Sequence, residues 1–261
     1  MATFDKHSVS SIAKMLIVGD SGAGKTASIA SLIKAGYNVA VMDFDNGLDI
    51  LASLVSPDEV NRLHYITFED DPKGMSAWQR FNKICIEGWK DGDEDLGKIT
   101  SWDPSWVLVI DTLTFMSKAS MRQVLKDANK TPDTQPSLPD YGEAMRRIDT
   151  KIQWLCSSLV KCNVVMFTHL KAVENEDTGR VRYYPSTIGT ALSQSLGTYF
   201  NNVMRIGTRK TKEGDEKFLR TISDNQMDLK TAAPKFFSSE IPLDLGYVID
   251  MIKNNAQKMK A

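Results

Sequence analysis

One stretch constrains this chain more than any other: Met15-Leu-Ile-Val-Gly-Asp-Ser-Gly-Ala-Gly-Lys-Thr26. A short apolar strand runs into Gly19-x-x-x-x-Gly24-Lys25-Thr26, the spacing of a phosphate-binding P-loop. Glycines at 22 and 24 let the backbone turn its N–H groups inward as a nest for anionic oxygens. Residues Gly19, Asp20, Ser21, Gly22, Ala23, Gly24, Lys25 and Thr26 are therefore expected to wrap the phosphates of a nucleotide. Lys25 would reach the β- and γ-phosphates, and the Thr26 hydroxyl would hold Mg²⁺. Good helix formers over Thr26–Lys34 place a helix N-terminus behind the loop, and Gly36 ends that helix.

The remaining apolar runs fit an α/β chain. Tyr37–Asp43 reads as a second buried strand, apolar nearly throughout, as parallel strands tend to be. It ends in Asp43-Phe-Asp-Asn-Gly47, a polar turn at the carboxyl edge where open α/β sheets bind ligands. Leu48–Leu54 reads as a short helix, Leu63–Phe68 as a third strand, and Ser76–Trp89 as an amphipathic helix after the breakers Pro72 and Gly74. Asp91-Gly-Asp-Glu-Asp95 reads as a solvated acidic loop, since it lacks the later Glu of a calcium loop. Trp106–Asp111 is an apolar strand ending in Asp, as the Walker B position requires, so Asp111 is the second candidate magnesium ligand.

A helix to about Asn129 and a proline-rich loop, Thr131–Pro139, precede a long helix over Tyr141–Lys161. Ala144, Ile148, Ile152, Leu155 and Leu159 recur there at helical spacing. Asn163–His169 is another buried strand, and its polar end suits a γ-phosphate sensor, His169. Lys171–Pro185 reads as either a β-hairpin or a mobile loop. It carries Arg180, Arg182, Tyr183 and Tyr184, cations for phosphate beside platforms for unpaired bases. Thr187–Gly197 is a small-residue helix, followed by strand Tyr199–Ile206, a charged turn over Thr208–Glu216, and an antiparallel partner, Lys217–Ser223. Residues 224–242 read as irregular, and Leu245–Lys258 as a closing helix.

Thirty-two Lys and Arg against 33 Asp and Glu predict no bulk affinity for polyanions, so any nucleic-acid surface must be local. Three cysteines without metal-ligand spacing suit a reducing compartment. Neither an apolar h-region near residue 1 nor a run of membrane-spanning length is evident, so a cytoplasmic chain with no membrane partner is expected.

Taken in order, the strand ends resemble the RecA-type core of recombination ATPases. Four segments carry the likeness: Gly19–Thr26, Val41–Asp49, Val107–Asp111 and Val164–Lys171. Pro185–Leu192 and Tyr199–Ile206 are similar to the end of that family's second DNA-binding loop and its next helix and strand. The short length and the Tyr-Phe-Asn-Asn strand look closest to bacteriophage RecA-like ATPases of single-strand annealing and recombination, which would act in the host cytoplasm. The resemblance runs from about Lys14 to Ile222. It implies a RecA-like P-loop core: a mostly parallel twisted sheet flanked by helices, with an antiparallel C-terminal edge. Residues 14–225 would form the core, 1–13 an N-terminal arm, and 226–261 an extension with the terminal helix.

Roles follow residue by residue. Asp45 falls where the family has the catalytic glutamate that polarises water, here one methylene shorter, with Glu69 and Asp70 as fallback bases. His169 replaces the sensing glutamine. Arg180–Tyr184 lies in DNA loop two, and Lys130–Pro139 lies near loop one. Lys230 is a candidate for the basic residues that recombinases offer across a subunit interface. Single-stranded DNA, a single-strand-binding protein and a homo-oligomeric ring or filament are the partners implied. The family's N-terminal oligomerisation domain is missing, so assembly would need another contact, such as residues 1–13.

Other classes fit less well. A signalling GTPase needs an Asn-Lys-x-Asp-like motif where this chain has Thr168-His-Leu-Lys171. A helicase loader would carry an arginine-bearing helical lid, and a partition ATPase a lysine where Asp20 stands. A nucleotide-dependent switch, a loader-type ATPase, and a module binding ATP only as a structural ligand remain the alternatives.

Overall fold

The computed structural model describes residues 11–71, 76–174 and 179–258. Most of the arm expected at 1–13, the breakers Pro72 and Gly74, and the centre of the 171–185 segment lie outside the described residues.

Strands β1 (Lys14–Val18), β2 (Asn38–Asp43), β3 (Leu63–Thr67), β6 (Trp106–Asp111) and β7 (Asn163–Thr168) form the parallel part of one sheet with β10 (Asn202–Thr211). Strands β11 (Gly214–Arg220) and β12 (Glu240–Pro242) extend it antiparallel, giving the eight-stranded order β12-β11-β10-β1-β7-β6-β2-β3. This is the RecA-like arrangement expected from the sequence, including its antiparallel edge.

Alternation along β1 divides the core. Leu16 and Val18 face helices α2 (Ala77–Glu87), α3 (Leu113–Asp127) and α4 (Leu138–Cys156). Met15 and Ile17 face α1 (Lys25–Lys34) and α6 (Leu245–Lys258). Because both faces are covered, β1, β2, β6 and β7 are nearly continuous apolar runs, which is why they were legible.

Several boundaries differ from the sequence expectation, each for a local reason. The 48–53 segment is a 3₁₀ helix. Helix α4 starts earlier than expected because Ser137 and Asp140 form a capping box and Pro139 sits in the first turn, where its missing N–H is harmless. It also stops at Cys156 rather than near Lys161. The acidic loop is instead a small hairpin, β4 (Trp89–Asp91) with β5 (Glu94–Gly97), turning at Gly92 with φ +58°. The fully buried Trp89 anchors it, its indole donating to Glu94, which also meets His64 on β3. The 171–185 segment is a hairpin, β8 (Leu170–Glu174) with β9 (Val181–Pro185). The small-residue helix shortens to α5 (Thr190–Ser195) and continues as a 3₁₀ turn to Tyr199. The charged turn at 208–216 is mostly strand, tightening only at Thr211–Gly214. The stretch expected to be irregular contributes β12 and a bridge between Lys230 and Val203.

Asn201 and Asn202 are fasteners. Asn201 accepts from Lys14 N at 2.8 Å and donates to Ile12 O at 2.9 Å, while Asn202 accepts from Ala232 N at 2.9 Å. Cys85, Cys156 and Cys162 are free, and burial raises their thiol pKa values to about 12, 12 and 11. These thiols are poor nucleophiles.

Buried Lys14 closes the end of α4. Its amine donates to Leu155 O at 3.2 Å, Val160 O at 2.8 Å and Cys162 O at 3.0 Å, and burial lowers its pKa. Lys14→Ala leaves three carbonyls without this donor and is expected to cost about 2–4 kcal/mol, read by chemical denaturation.

Candidate nucleotide site

Parallel strands β1, β2, β6 and β7 bring Val18, Asp43, Asp111 and Thr168 to one carboxyl edge, with Asp43 directly opposite Asp111. The loop from Gly19 to Gly24 crosses that edge and enters α1. Gly22 (φ +74°) and Gly24 (φ +100°) hold the left-handed conformations that the turned-in backbone requires. Thr26 on the first turn of α1 donates from Oγ1 to Asp111 Oδ2 at 2.6 Å, so the two expected magnesium residues meet. Lys25, only 6% exposed, donates to Gly19 O at 3.0 Å and Asp20 O at 2.8 Å. Burial lowers the Lys25 pKa, opposed by nearby Asp111, Asp45 and Asp20.

The carboxylates lie close enough to perturb one another. Burial, reinforced by Asp45, raises the Asp111 pKa to about 7, although the Thr26 hydroxyl and Lys25 oppose the rise. Burial likewise raises Asp43 to about 6, against stabilising backbone N–H donors from Asp45 and Asn46. Asp45 lies on the turn after β2. A Cβ added at Gly47 would sit 3.1 Å from Asp45 Oδ1 and 3.9 Å from Thr26 Oγ1, which places Asp45 beside the loop helix. Among the described residues, neither Asp45 Oδ1 nor Asp111 Oδ1, both buried, has a hydrogen-bond partner.

Ser21, Gly22, Gly24, Lys25, Thr26, Asp45 and His169 line one cleft of about 370 Å³ with Lys217 of β11. His169 packs edge-on against Phe115, and its backbone N–H donates to Thr114 Oγ1 at 3.0 Å. Burial, and then Lys25, depresses the His169 pKa, so the ring is neutral at pH 7. On the other side of the loop, Asp20, Ser21, Arg205, Phe218, Arg220 and Gln226 line a second cleft of about 430 Å³.

Three elements therefore converge as the sequence led one to expect: the loop, the strand-end Asp111 with Asp45, and His169. The hairpin residues do not join this cleft. Arg182 pairs with Asp228 at 2.7 Å and lies over the Tyr184 ring. Tyr183 is half-buried beneath the Arg205 guanidinium, 4.6 Å from its ring centre, and its N–H donates to Gln226 O at 2.8 Å. Lys230 lines neither cleft. Its backbone pairs with Val203, and its amine donates to Thr198 O at 3.4 Å. Lys217 and Arg205 carry no local signal, because only the pairing of β10 with β1 and of β11 with β10 brings them to the loop.

Matching against family models assigns residues 11–232 to the AAA domain family. The chain belongs to the AAA domain family. Gly19–Thr26 supplies the P-loop of an ATPase-type domain in this match. No curated protein matches the chain. Among solved structures, this AAA domain is similar at 11% identity to the flagellar accessory protein FlaH from Methanocaldococcus jannaschii, over 89% of this chain and 87% of that one, with a TM-score of 0.46. A RadB recombinase is 12% identical over 79% and 80% of the two chains, with a TM-score of 0.41. A KaiC-like protein from Pyrococcus horikoshii OT3 is 11% identical over 80% and 77%, with a TM-score of 0.40. Among the described residues of the AAA domain, no helix is long and apolar enough to cross a membrane.

The raised Asp111 pKa has a measurable consequence. The unfolded carboxyl ionises near pH 4, whereas the folded one ionises at about 7. Between these values the native state holds the extra proton, so this group lowers stability as pH rises and its penalty is complete above pH 7. Asp111→Asn keeps the size and an acceptor for Thr26. It is expected to raise the melting temperature of ligand-free protein at pH 8 by roughly 5 °C, with little change at pH 4. Calorimetric melts at the two pH values check this.

Proposed function

We propose that the chain is a Mg²⁺-dependent ATPase that acts on single-stranded DNA in recombination or strand annealing, as the bacteriophage RecA-like ATPases that it resembles do. One observation carries the nucleotide half: two carboxylate oxygens, Asp45 Oδ1 and Asp111 Oδ1, are buried beside a phosphate loop with no partner. Such oxygens are costly unless a cation or ordered water meets them. Among the described residues no cluster of His, Cys, Asp or Glu cages a metal by itself. That suits Mg²⁺, which is held jointly by one or two protein oxygens and substrate phosphates. The donor set Thr26 and Asp111 fits it.

Thr26 and Asp111 would hold Mg²⁺, which when bound would supply positive charge against the charge that develops on the phosphates. The protein's own work is positional. Lys25 leaves the carbonyls of Gly19 and Asp20 for the phosphates. Backbone N–H groups of the loop cradle the anion, and the N-terminus of α1 favours it. Asp45 accepts a proton of the attacking water and aims its lone pair at the γ-phosphorus. His169, neutral and at the root of the β8–β9 hairpin, carries the state of the γ-phosphate to that hairpin. In this reading residues 14–225 work as the core, the 1–13 arm and Lys230 serve contacts between copies in a ring or filament, and residues 226–261 close the sheet edge. A single-strand-binding protein is the expected companion, in the cytoplasm.

The DNA half rests on Arg180, Arg182, Tyr183 and Tyr184. Joint replacement of Arg180 and Arg182 by alanine should weaken binding to any short single strand. It should also lower the log–log salt slope by about 1.4, the release expected from two phosphate contacts. Tyr184→Ala should cost ~1–3 kcal/mol of binding with the slope intact. Fluorescence anisotropy across a salt series reads both. The Arg182–Asp228 pair and the cover of Arg205 over Tyr183 favour a second reading, a nucleotide-dependent switch or helicase-loader-type ATPase without DNA contact. Parental affinity and slope in the double-arginine variant would decide for that reading.

A further inference from the structure

We infer that Lys217 is a second phosphate-contacting cation, supplied to the nucleotide cleft by the same chain from edge strand β11. The inference rests on the reading of that cleft as an ATP site. Lys217 Nζ donates to the carbonyl of Gly22, at the crest of the loop, at 2.9 Å. The side chain lies across Gly24: a Cβ there would come within 3.1 Å of both Lys217 Cδ and Nζ. The same amine lines the cleft of Lys25, Thr26, Asp45 and His169.

Its neighbours on the antiparallel edge are committed elsewhere. Glu216 pairs with Arg209 at 2.8 Å, and Arg220 pairs with Asp224 and Glu240. Among the described residues no carboxylate pairs with Lys217. The partner it has there is a neutral carbonyl, the same kind of partner that holds Lys25 in the ligand-free loop. Both amines thus rest on the outer carbonyls of a loop whose N–H groups serve anions.

Charge balance points the same way. Asp20, Asp45 and Asp111 all act on Lys25, so one lysine faces three carboxylates where a polyphosphate must enter. A second cation offsets that excess, and a lysine stem is long and flexible enough to swing its head from carbonyl to phosphate. Cations supplied in cis or in trans stabilise the charge that develops in phosphoryl transfer, and Lys217 has the placement of one supplied in cis.

The alternative is that Lys217 merely braces the loop through Gly22. Lys217→Gln separates the two, because glutamine retains a donor for the carbonyl and loses the charge. Titration calorimetry with Mg-ATP, beside phosphate-release assays, is expected to show affinity reduced ~10-fold or more and slower turnover in Lys217→Gln. Lys217→Arg should recover most of both. Parental affinity and turnover in Lys217→Gln, with Lys25→Ala still defective, would overturn the inference and leave the ATP site standing. An equal defect in the arginine variant would overturn it as well, since shape rather than charge would then matter. If neither Lys25→Ala nor Lys217→Gln changed nucleotide binding, the ATP reading itself would fail. Mixing Lys217→Gln with Lys25→Ala subunits should restore no turnover, and recovery would show a cation acting across an interface instead.

Discussion

Lys25→Ala is expected to weaken Mg-ATP binding by ~100-fold and to abolish turnover. The effect is large because the amine faces three carboxylates. It is buried at the start of α1, and Asp111, Asp45 and Asp20 are the charges acting on it. Removing it deletes a charge-assisted contact to the β- and γ-phosphates, worth about 1.5–3 kcal/mol. It also leaves the carboxylates facing the incoming phosphates without that compensation. The carbonyls of Gly19 and Asp20 lose this donor, and Gly19 is buried, so folding of the variant is checked alongside binding. Titration calorimetry with a circular-dichroism control for folding reads the outcome.

Asp45→Asn is expected to lower turnover by ~10²-fold or more while Mg-ATP affinity stays near parental. Size is preserved, but the acceptor charge that would orient and deprotonate water is gone, and groups in that role contribute about 10²–10⁴-fold. Affinity holds because Thr26, Asp111 and the loop backbone remain. Gly47 keeps this carboxylate free, since a side chain there would press on Asp45 Oδ1. Single-turnover hydrolysis beside equilibrium binding separates the two effects. Parental turnover would move the base elsewhere. Of the two fallback carboxylates, Asp70 is already occupied, accepting from Ala77 N at 2.9 Å and bonded to Arg122, so Glu69 would be tested first.

What was legible in the sequence follows from how local each signal is. The loop, its strand and its helix are contiguous, so spacing alone located them. Asp111 and His169 were legible because buried parallel strands are apolar runs, and a polar residue at such a run's end stands out. Asp45 and Asp111 were linked only through the order of strands, a pattern that the sheet reproduces. The β4–β5 hairpin escaped notice because charge over 91–95 hid an Asp-Gly turn, while its anchor, Trp89, read as the end of a helix. Lys217 escaped for a different reason. It meets Gly22 from 195 residues away, through two strand pairings that no local pattern announces. The hairpin arginines and tyrosines were visible as a composition, whereas the pairing of Arg182 with Asp228 and the cover over Tyr183 depend on partners distant in sequence.

We propose that the cleft between Gly19–Thr26 and Asp45 binds Mg-ATP and hydrolyses it. Phosphate release from ATP by the intact chain, with Mg²⁺ and with Mg²⁺ chelated, measures this most directly when run beside Lys25→Ala. Steady release that stops on chelation and is absent from the variant is the expected result. Release that persists without Mg²⁺, or that proceeds equally in Lys25→Ala, would contradict it.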